Sequence, residues 1–562
     1  MNILKMAVVL LLAVSQTGPA MGQANVNEQS VKQTLYVGPE DPKADDSGPG
    51  ISSALPLKSL QKAIDKSAGV NTKIVVLPGD CRELVTIPPG NSLLVIEARE
   101  KGKSAISGSD LFADWKDAGG VYEHEWPKAF GPMAENHFNV NWTPLERRRE
   151  LAFVNGQPYR QVLSQNELVE KSFCISEADK KVYIKPPSAF DMKKATVEIS
   201  VRGADPYGQG RNGAILHFNE HTNAVLRGLV VRHSMCGIKQ SAVAGKGANI
   251  LFEDCSFNWN NGIGLDMVLK NSTFRHCVAN NNGERGLGLV LSERVLLEDC
   301  ECSYNNWRYG EKINGDDSAG FKAFWECSNI SFLRFKAICN NASGIWFDWN
   351  NGPVTIKSSL LESNRVAGLN YEANPHGLVL TNCVLRYNDH GLMFYGSSNV
   401  TIEACAIYGN GKKPDQWGYA GGQITLVTDD RVVHKGDWSQ KYLHEGYKMQ
   451  DGDWRCTLGS YTIRNCIIES TDPAQSMIHG GTERTDITAK ASIQWCKAVR
   501  SDFNTYYHPK TTKGFFSNVL KNNWEDDIAQ LTLEQWREQS NQDLNSQWKP
   551  SDLKSIKDPT AR

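Results

Sequence analysis

From residue 213 onward, apolar and polar residues alternate in short runs, and each run opens at a glycine. The runs are Gly213–His217, Gly237–Ser241, Gly262–Asp266, Gly286–Val290, Gly320–Phe324, Gly344–Asp348, Gly368–Glu372 and Gly391–Tyr395. Their glycines are spaced by 24, 25, 24, 34, 24, 24 and 23 residues. The long interval is one repeat plus a ten-residue insertion around Trp307 to Asp317. A fixed period of this length marks a solenoid. Alternating side chains mark the repeating element as a strand half buried in a sheet.

The first and third residues after each glycine are almost all apolar, as in Ile263/Leu265, Phe321/Ala323, Ile345/Phe347 and Leu369/Tyr371. They predict a core column. The second and fourth then face outward: Ile215/His217, Lys239/Ser241, Gly264/Asp266, Gly288/Val290, Lys322/Phe324, Trp346/Asp348, Asn370/Glu372 and Met393/Tyr395. Asparagine recurs three or four residues before several of the glycines, at Asn258, Asn282, Asn340, Asn364 and Asn388. Asparagine tolerates left-handed backbone and bonds its own turn, so these residues predict a structural amide ladder. Further strand-like runs such as Val295-Leu-Leu-Glu and Val354-Thr-Ile-Lys supply the other sides of each rung. The pattern predicts an all-β protein, a right-handed single-stranded parallel β-helix.

A solenoid needs caps. The amphipathic stretch Pro56–Ile64 suits one end, and Leu531–Glu538 the other. Residues 105–200 lack the rung pattern and read as a small inserted β-rich module. The expected organisation is a leader over 1–22, the N-terminal cap and first rungs over 23–104, the insert over 105–200, the main β-helix over 201–500 and a C-terminal cap over 501–562.

Composition changes this picture little. The net charge of −2 over 562 residues gives no basic field for nucleic acid. Lys5 followed by the apolar run Met6–Val14 and the small-residue site Ala20-Met21-Gly22 predicts an export signal cut after Gly22. That run is too short to span a bilayer, and no later stretch is long and apolar enough, so no membrane span is expected in the mature chain. Of the fourteen cysteines, Cys255 and Cys277 fall at near-equivalent places in successive rungs, as do Cys383 and Cys405. This favours stacked free thiols packed as small hydrophobes. No zinc-type spacing is present, and no cofactor is expected.

Candidate chemistry lies in the outward column. Asp348 and Glu372 occupy the same outward position one repeat apart. Stacked strands lie about 4.8 Å apart, which brings the carboxyls into the range of about 5–5.5 Å that a retaining glycosidase requires. Two such carboxylates resist ionising together, which favours one of them as a general acid. Lys322, one rung earlier and diagonal to Asp348, favours ionised Asp348. Asp348 is therefore the better nucleophile and Glu372 the better acid/base. Trp346 and Tyr395 offer flat faces for a sugar ring, and Asn370 a partner for a hydroxyl. Asp317 with Asp316, at the end of the insertion, and His376, in the turn after Glu372, are further candidate substrate contacts, alongside Asp389 and His390. Trp307, Trp325, Trp349 and Trp417 are candidates to line the groove. Asp266, three rungs from Asp348, is too distant to join the pair, and His217 is farther.

The N-terminal pattern Tyr36-Val-Gly, Pro56-Leu-Lys-Ser-Leu-Gln-Lys-Ala and Leu77-Pro-Gly-Asp resembles the start of bacterial β-helix proteins of the pectin-lyase-like superfamily. The run Leu531-Thr-Leu-Glu-Gln-Trp536 followed by Gln542-Asp-Leu-Asn-Ser546 looks like their ending. Gly344-Ile-Trp-Phe-Asp348 followed by Gly368-Leu-Asn-Tyr-Glu372 resembles the active-site region of glycoside hydrolase family 120, β-xylosidases with an inserted β-domain. That resemblance implies Asp348 as nucleophile and Glu372 as acid/base. It implies an exported enzyme acting on a plant or algal glycan. The competing readings are a polysaccharide lyase, with Lys322 as base and calcium held by Asp316, Asp317 and Asp348, and a non-catalytic glycan-binding protein.

Overall fold

The structure, a computed structural model, describes residues 23–126, 136–137, 140–203, 213–237, 239–308, 318–411, 422–428, 432–433, 454–455, 459–473, 475–482, 498–509, 516–520 and 529–561. The expected leader over 1–22, Asp316, Asp317 and Trp417 lie outside the described residues.

The repeat folds into a parallel β-helix. Each rung contributes a strand of the face carrying the candidate site, such as Ser343–Asp348, then a second strand such as Val354–Lys357, then a short third strand such as Leu360–Glu362. Each pairs in parallel with its counterpart one rung on. From Gly262 on, the core column predicted from the alternation is buried: Phe321, Ile345, Leu369 and Leu392 are fully enclosed, with Phe347, Tyr371 and Phe394 two residues on.

Asparagine forms the ladder at the turn entering this face. Asn260, Asn282, Asn305, Asn340, Asn364, Asn388 and Asn410 each donate from the side-chain amide to the next member, at 2.9–3.1 Å, and the ladder ends on Gln423. Asn258 is not a member. Asn260 takes the place expected of it, and Asn258 instead accepts from the Asn280 backbone. The ladder explains the glycines. A Cβ on Gly344 would lie 2.8 Å from Asn364 Nδ2 and 2.7 Å from the Gly368 carbonyl oxygen, so no side chain fits there.

The same contact corrects the register of two early rungs. In Gly262-Ile-Gly-Leu, the glycine against the ladder is Gly264, whose Cβ would lie 3.0 Å from Asn282 Nδ2. Leu265 therefore pairs with Leu287, and Asp266 with Gly288. In the preceding rung the strand begins at Ser241, not Gly237, and Val243 pairs with Leu265. Lys239 and Ser241 are thus not the outward pair, because Lys239 precedes the strand and the Gln240 N–H donates to the Gly237 carbonyl in a turn there.

A sheet of eight strands is inserted between rungs, running from Ser109–Phe112 to Val197–Ser200. Its own apolar core includes Trp126, Phe173, Val182 and Ile199. The strand Ser104–Ser107 still pairs within the β-helix, beside Leu229–Arg232. Helix Leu60–Lys66, N-capped by Ser59, buries Leu60, Ala63 and Ile64 against the first rungs. Helix Leu533–Ser540 closes the far end with Leu533 and Trp536 buried. The twelve described cysteines are free. Cys255, Cys277 and Cys300 are buried, and burial pushes the Cys255 and Cys277 thiols well above the usual range. Among the described residues, no helix is long and apolar enough to cross a membrane.

Candidate active site

The outward residues form parallel columns. In one, Asp266, Gly288, Lys322, Trp346, Asn370, Met393 and Thr425 pair in succession. In the next, Phe324, Asp348, Glu372, Tyr395 and Val427 do the same. Asp348 and Glu372 are therefore direct register partners on neighbouring parallel strands. Lys322, Trp346, Asn370 and Tyr395 stand around them.

Burial divides the two columns. Lys322, Trp346, Asn370 and Met393 are 1 %, 5 %, 1 % and 2 % exposed, whereas Asp348, Glu372 and Tyr395 are half-buried. Lys322 is held on two sides. Its ammonium lies 2.9 Å from Asp348 Oδ2 and 3.6 Å from the centre of the Trp346 ring. This buried cation is compensated by charge and by the ring quadrupole together. The contact also revises the role expected of Trp346. With Lys322 over one face of a buried ring, the indole is not an open platform for a sugar.

Among the described residues, three polar atoms here are buried without a hydrogen-bond partner: Trp346 Nε1, Asn370 Oδ1 and Asp348 Oδ1. Buried polar groups are ordinarily satisfied, so three unsatisfied ones on adjoining positions set this part of the face apart. Asp348 thus has one oxygen committed to Lys322 and one uncommitted.

Next to Lys322, Arg285 lies 3.2 Å from Asp266 Oδ2 and 5.1 Å from the Phe324 ring. Asp266 leans over Gly288, where a Cβ would come within 2.7 Å of its Oδ1. Asp266 therefore belongs to the Lys322 column and stands two rungs from Lys322, not in line with Asp348. The corrected register alone reveals this. Beyond Glu372, Val366, Ala367, Met393 and Val427 form an apolar cluster against which Tyr395 packs. His390, read from the sequence as a turn residue, is the first residue of strand His390–Tyr395, fully buried, with Nδ1 2.9 Å from Thr425 Oγ1.

His376 engages the turn after Asp348. Its Nε2 lies 2.8 Å from Asn350 Oδ1, and Asn350 donates in turn to Glu326 at 3.2 Å. Burial lowers its pKa, with Glu326 opposing. Trp349 packs with Ala373 and Trp325, and Trp307 donates to the Asn281 carbonyl at 2.8 Å. His217 pairs with Thr86 and Ala244, far along the solenoid.

Against known proteins, residues 213–385 match the family described as the right handed beta helix region. A solved structure of XylC in complex with xylose is 12% identical, with a TM-score of 0.60 over 88% of this chain and 86% of that one. A structure described as a glycoside hydrolase is 12% identical, with a TM-score of 0.51 over 70% of this chain and 95% of that one. The fold is a right-handed parallel β-helix. At this identity the likeness to the two enzymes is one of fold. No curated protein matches the chain.

Proposed function

We propose that this β-helix is an exported retaining glycoside hydrolase acting on a plant or algal glycan, β-xylosidase-like in its chemistry. The observation that carries the reading is the state of Asp348 beside its register partner Glu372. Lys322 holds Asp348 Oδ2 at 2.9 Å and leaves Oδ1 buried and uncommitted, which is how a nucleophile is oriented. Glu372, its register partner one strand away, serves in this reading as the acid/base.

In the first step Asp348 Oδ1 attacks the anomeric carbon while Glu372 protonates the departing glycosidic oxygen. The sugar becomes an ester of Asp348. In the second step Glu372 takes a proton from water, which displaces Asp348 and restores the enzyme. Lys322 does not move a proton in this scheme. It fixes the carboxylate and offsets its charge. An ammonium already bound to a carboxylate lacks the lone pair that a lyase base needs, which favours hydrolysis over β-elimination. XylC, whose structure was determined with xylose, has the same fold, and this supports a glycan as the substrate class. The leader-like segment 1–22 supports export. Purification of the chain from the periplasmic or culture fraction, with an intact mass starting at Gln23, is the expected result.

The test is a panel of 4-nitrophenyl glycosides and uronate polysaccharides. Release of nitrophenol is expected from at least one glycoside, falling about a thousandfold or more in both Asp348→Ala and Glu372→Ala. Unsaturated product from a uronate polymer, without nitrophenol release, would contradict the assignment.

A further inference from the structure

Trp346 and Asn370 are register partners in the column beside the two carboxylates. Both side chains are more than nine-tenths buried, yet Trp346 Nε1 and Asn370 Oδ1 have no hydrogen-bond partner. One is solely a donor and the other an acceptor. Among the described residues they are unsatisfied groups of opposite sense on adjoining register positions, which is costly. The cost is removed when a ligand group that both accepts and donates enters between them. The ring of Trp346 offers no open platform for stacking, because Lys322 Nζ sits 3.6 Å from its centre and the ring is buried. Its N–H is the one polar group it brings.

We infer that Trp346 and Asn370 read a free hydroxyl of the sugar on the non-reducing side of the cleaved bond, the indole N–H donating to it and the amide oxygen accepting from it. This rests on the glycosidase reading and adds to it a specificity-determining pair. A hydroxyl satisfies both partners. A methylene satisfies neither, and an ether oxygen leaves the Asn370 oxygen unpaired. A carboxylate has no proton to donate and would face both that oxygen and Asp348. The substrate class is therefore a glycoside with an unmodified hydroxyl at this position, with deoxy, O-alkylated and uronate analogues rejected there. Sites built to bond a hydroxyl reject analogues lacking it far more strongly than apolar pockets reject a missing methylene.

The experiment uses the 4-nitrophenyl pyranosides of xylose, glucose, galactose and fucose, and then the monodeoxy analogues of whichever is cleaved fastest. In the wild-type enzyme, removal of one particular hydroxyl is expected to lower kcat/KM by about a thousandfold. In Trp346→Phe, which keeps the ring and loses the N–H, and separately in Asn370→Leu, that ratio is expected to fall below about tenfold, with the ratios at the other hydroxyls unchanged. Wild-type ratios at every position in both variants would overturn the inference. Two variants acting through different side chains guard against one of them failing to fold. The same ratios are measured as calorimetric affinities of the free monosaccharides and their deoxy forms for Glu372→Gln, alone and combined with each of the two substitutions. If no glycoside is cleaved, the glycosidase reading fails while these affinities still decide the subsite. Absence of any sugar binding, or binding indifferent to both substitutions, overturns it.

Discussion

At the scale of single residues, the site is organised by Lys322. Its neighbours Trp346 and Asp348 come from the next rung, and its own burial is nearly complete. Removing one member of a buried ion pair leaves the other uncompensated. Lys322→Met is therefore expected to lower stability by about 3 kcal/mol, measured by urea unfolding, and to reduce kcat more than it raises KM. Lys322→Arg is expected to restore much of the stability but little of the activity, because a planar guanidinium reproduces the charge and not the position. The sequence reading placed Lys322, Asp348 and Glu372 on one face from the alternation alone. It did not foresee that Lys322 covers the Trp346 ring. Alternation reports the face on which a side chain stands, and not which neighbour a long flexible chain folds over. Asp317 stays an expectation, since it lies outside the described residues.

At the scale of the element, the rung depends on the fit between glycine and the amide ladder. Asn364 sits mid-ladder, donates to Asn388 and to the Ala337 carbonyl, and is almost fully buried. Asn364→Ala leaves several buried partners unsatisfied and is expected to cost about 2–4 kcal/mol in thermal or urea unfolding. Gly344→Ala is expected to cost as much from the opposite cause, by forcing a methyl into Asn364 and the Gly368 carbonyl. The repeat length and the core column were legible because they depend on period and polarity. The register of two early rungs was not. In Gly262-Ile-Gly-Leu both glycines satisfy the pattern, and only contact with the Asn282 side chain selects Gly264. Asn305 and Asn410 escaped notice for a related reason. The insertion after Trp307 breaks the spacing to the glycine following Asn305, and in the strand Gly422–Thr428 after Asn410 it is Gln423, not a glycine, that stands against the ladder.

At the scale of the whole molecule, the inserted sheet is fastened to the β-helix beside the turns that lead into the site. Phe153 of the insert stacks on His233 of the β-helix with ring centres 3.8 Å apart, and Ser109 Oγ lies 3.1 Å from His233 Nδ1. Arg308 donates to Asn261 at 2.7 Å, to Gln161 at 2.9 Å and to the Glu150 carbonyl at 3.0 Å, which ties rung to insert. Burial, with Arg232 and Arg82 nearby, holds the His233 pKa well below the ordinary value. Glu198 lies 3.7 Å away but is bound to Arg82 at 3.0 Å, so it does little to favour the charged ring. Because the folded state depresses this pKa, the unfolded chain binds the extra proton. Stability from His233 is full above about pH 6.5 and falls below it, by about 1.4 kcal/mol per pH unit at most. Urea unfolding of wild type and His233→Gln at pH 8 and pH 5 is expected to show a larger acid loss in the wild type. Equal losses would contradict the assignment.

The central claim is that Asp348 carries the sugar as a covalent ester. An activated 2-deoxy-2-fluoro glycoside of the cleaved sugar slows the second step and allows the ester to be trapped, with the wild-type enzyme read by intact mass and peptide mapping. The account predicts stoichiometric inactivation, with one glycosyl unit on the peptide bearing Asp348 and none in Asp348→Ala. Label on another residue, or hydrolysis of the parent glycoside with inverted configuration and no trapped ester, would contradict it.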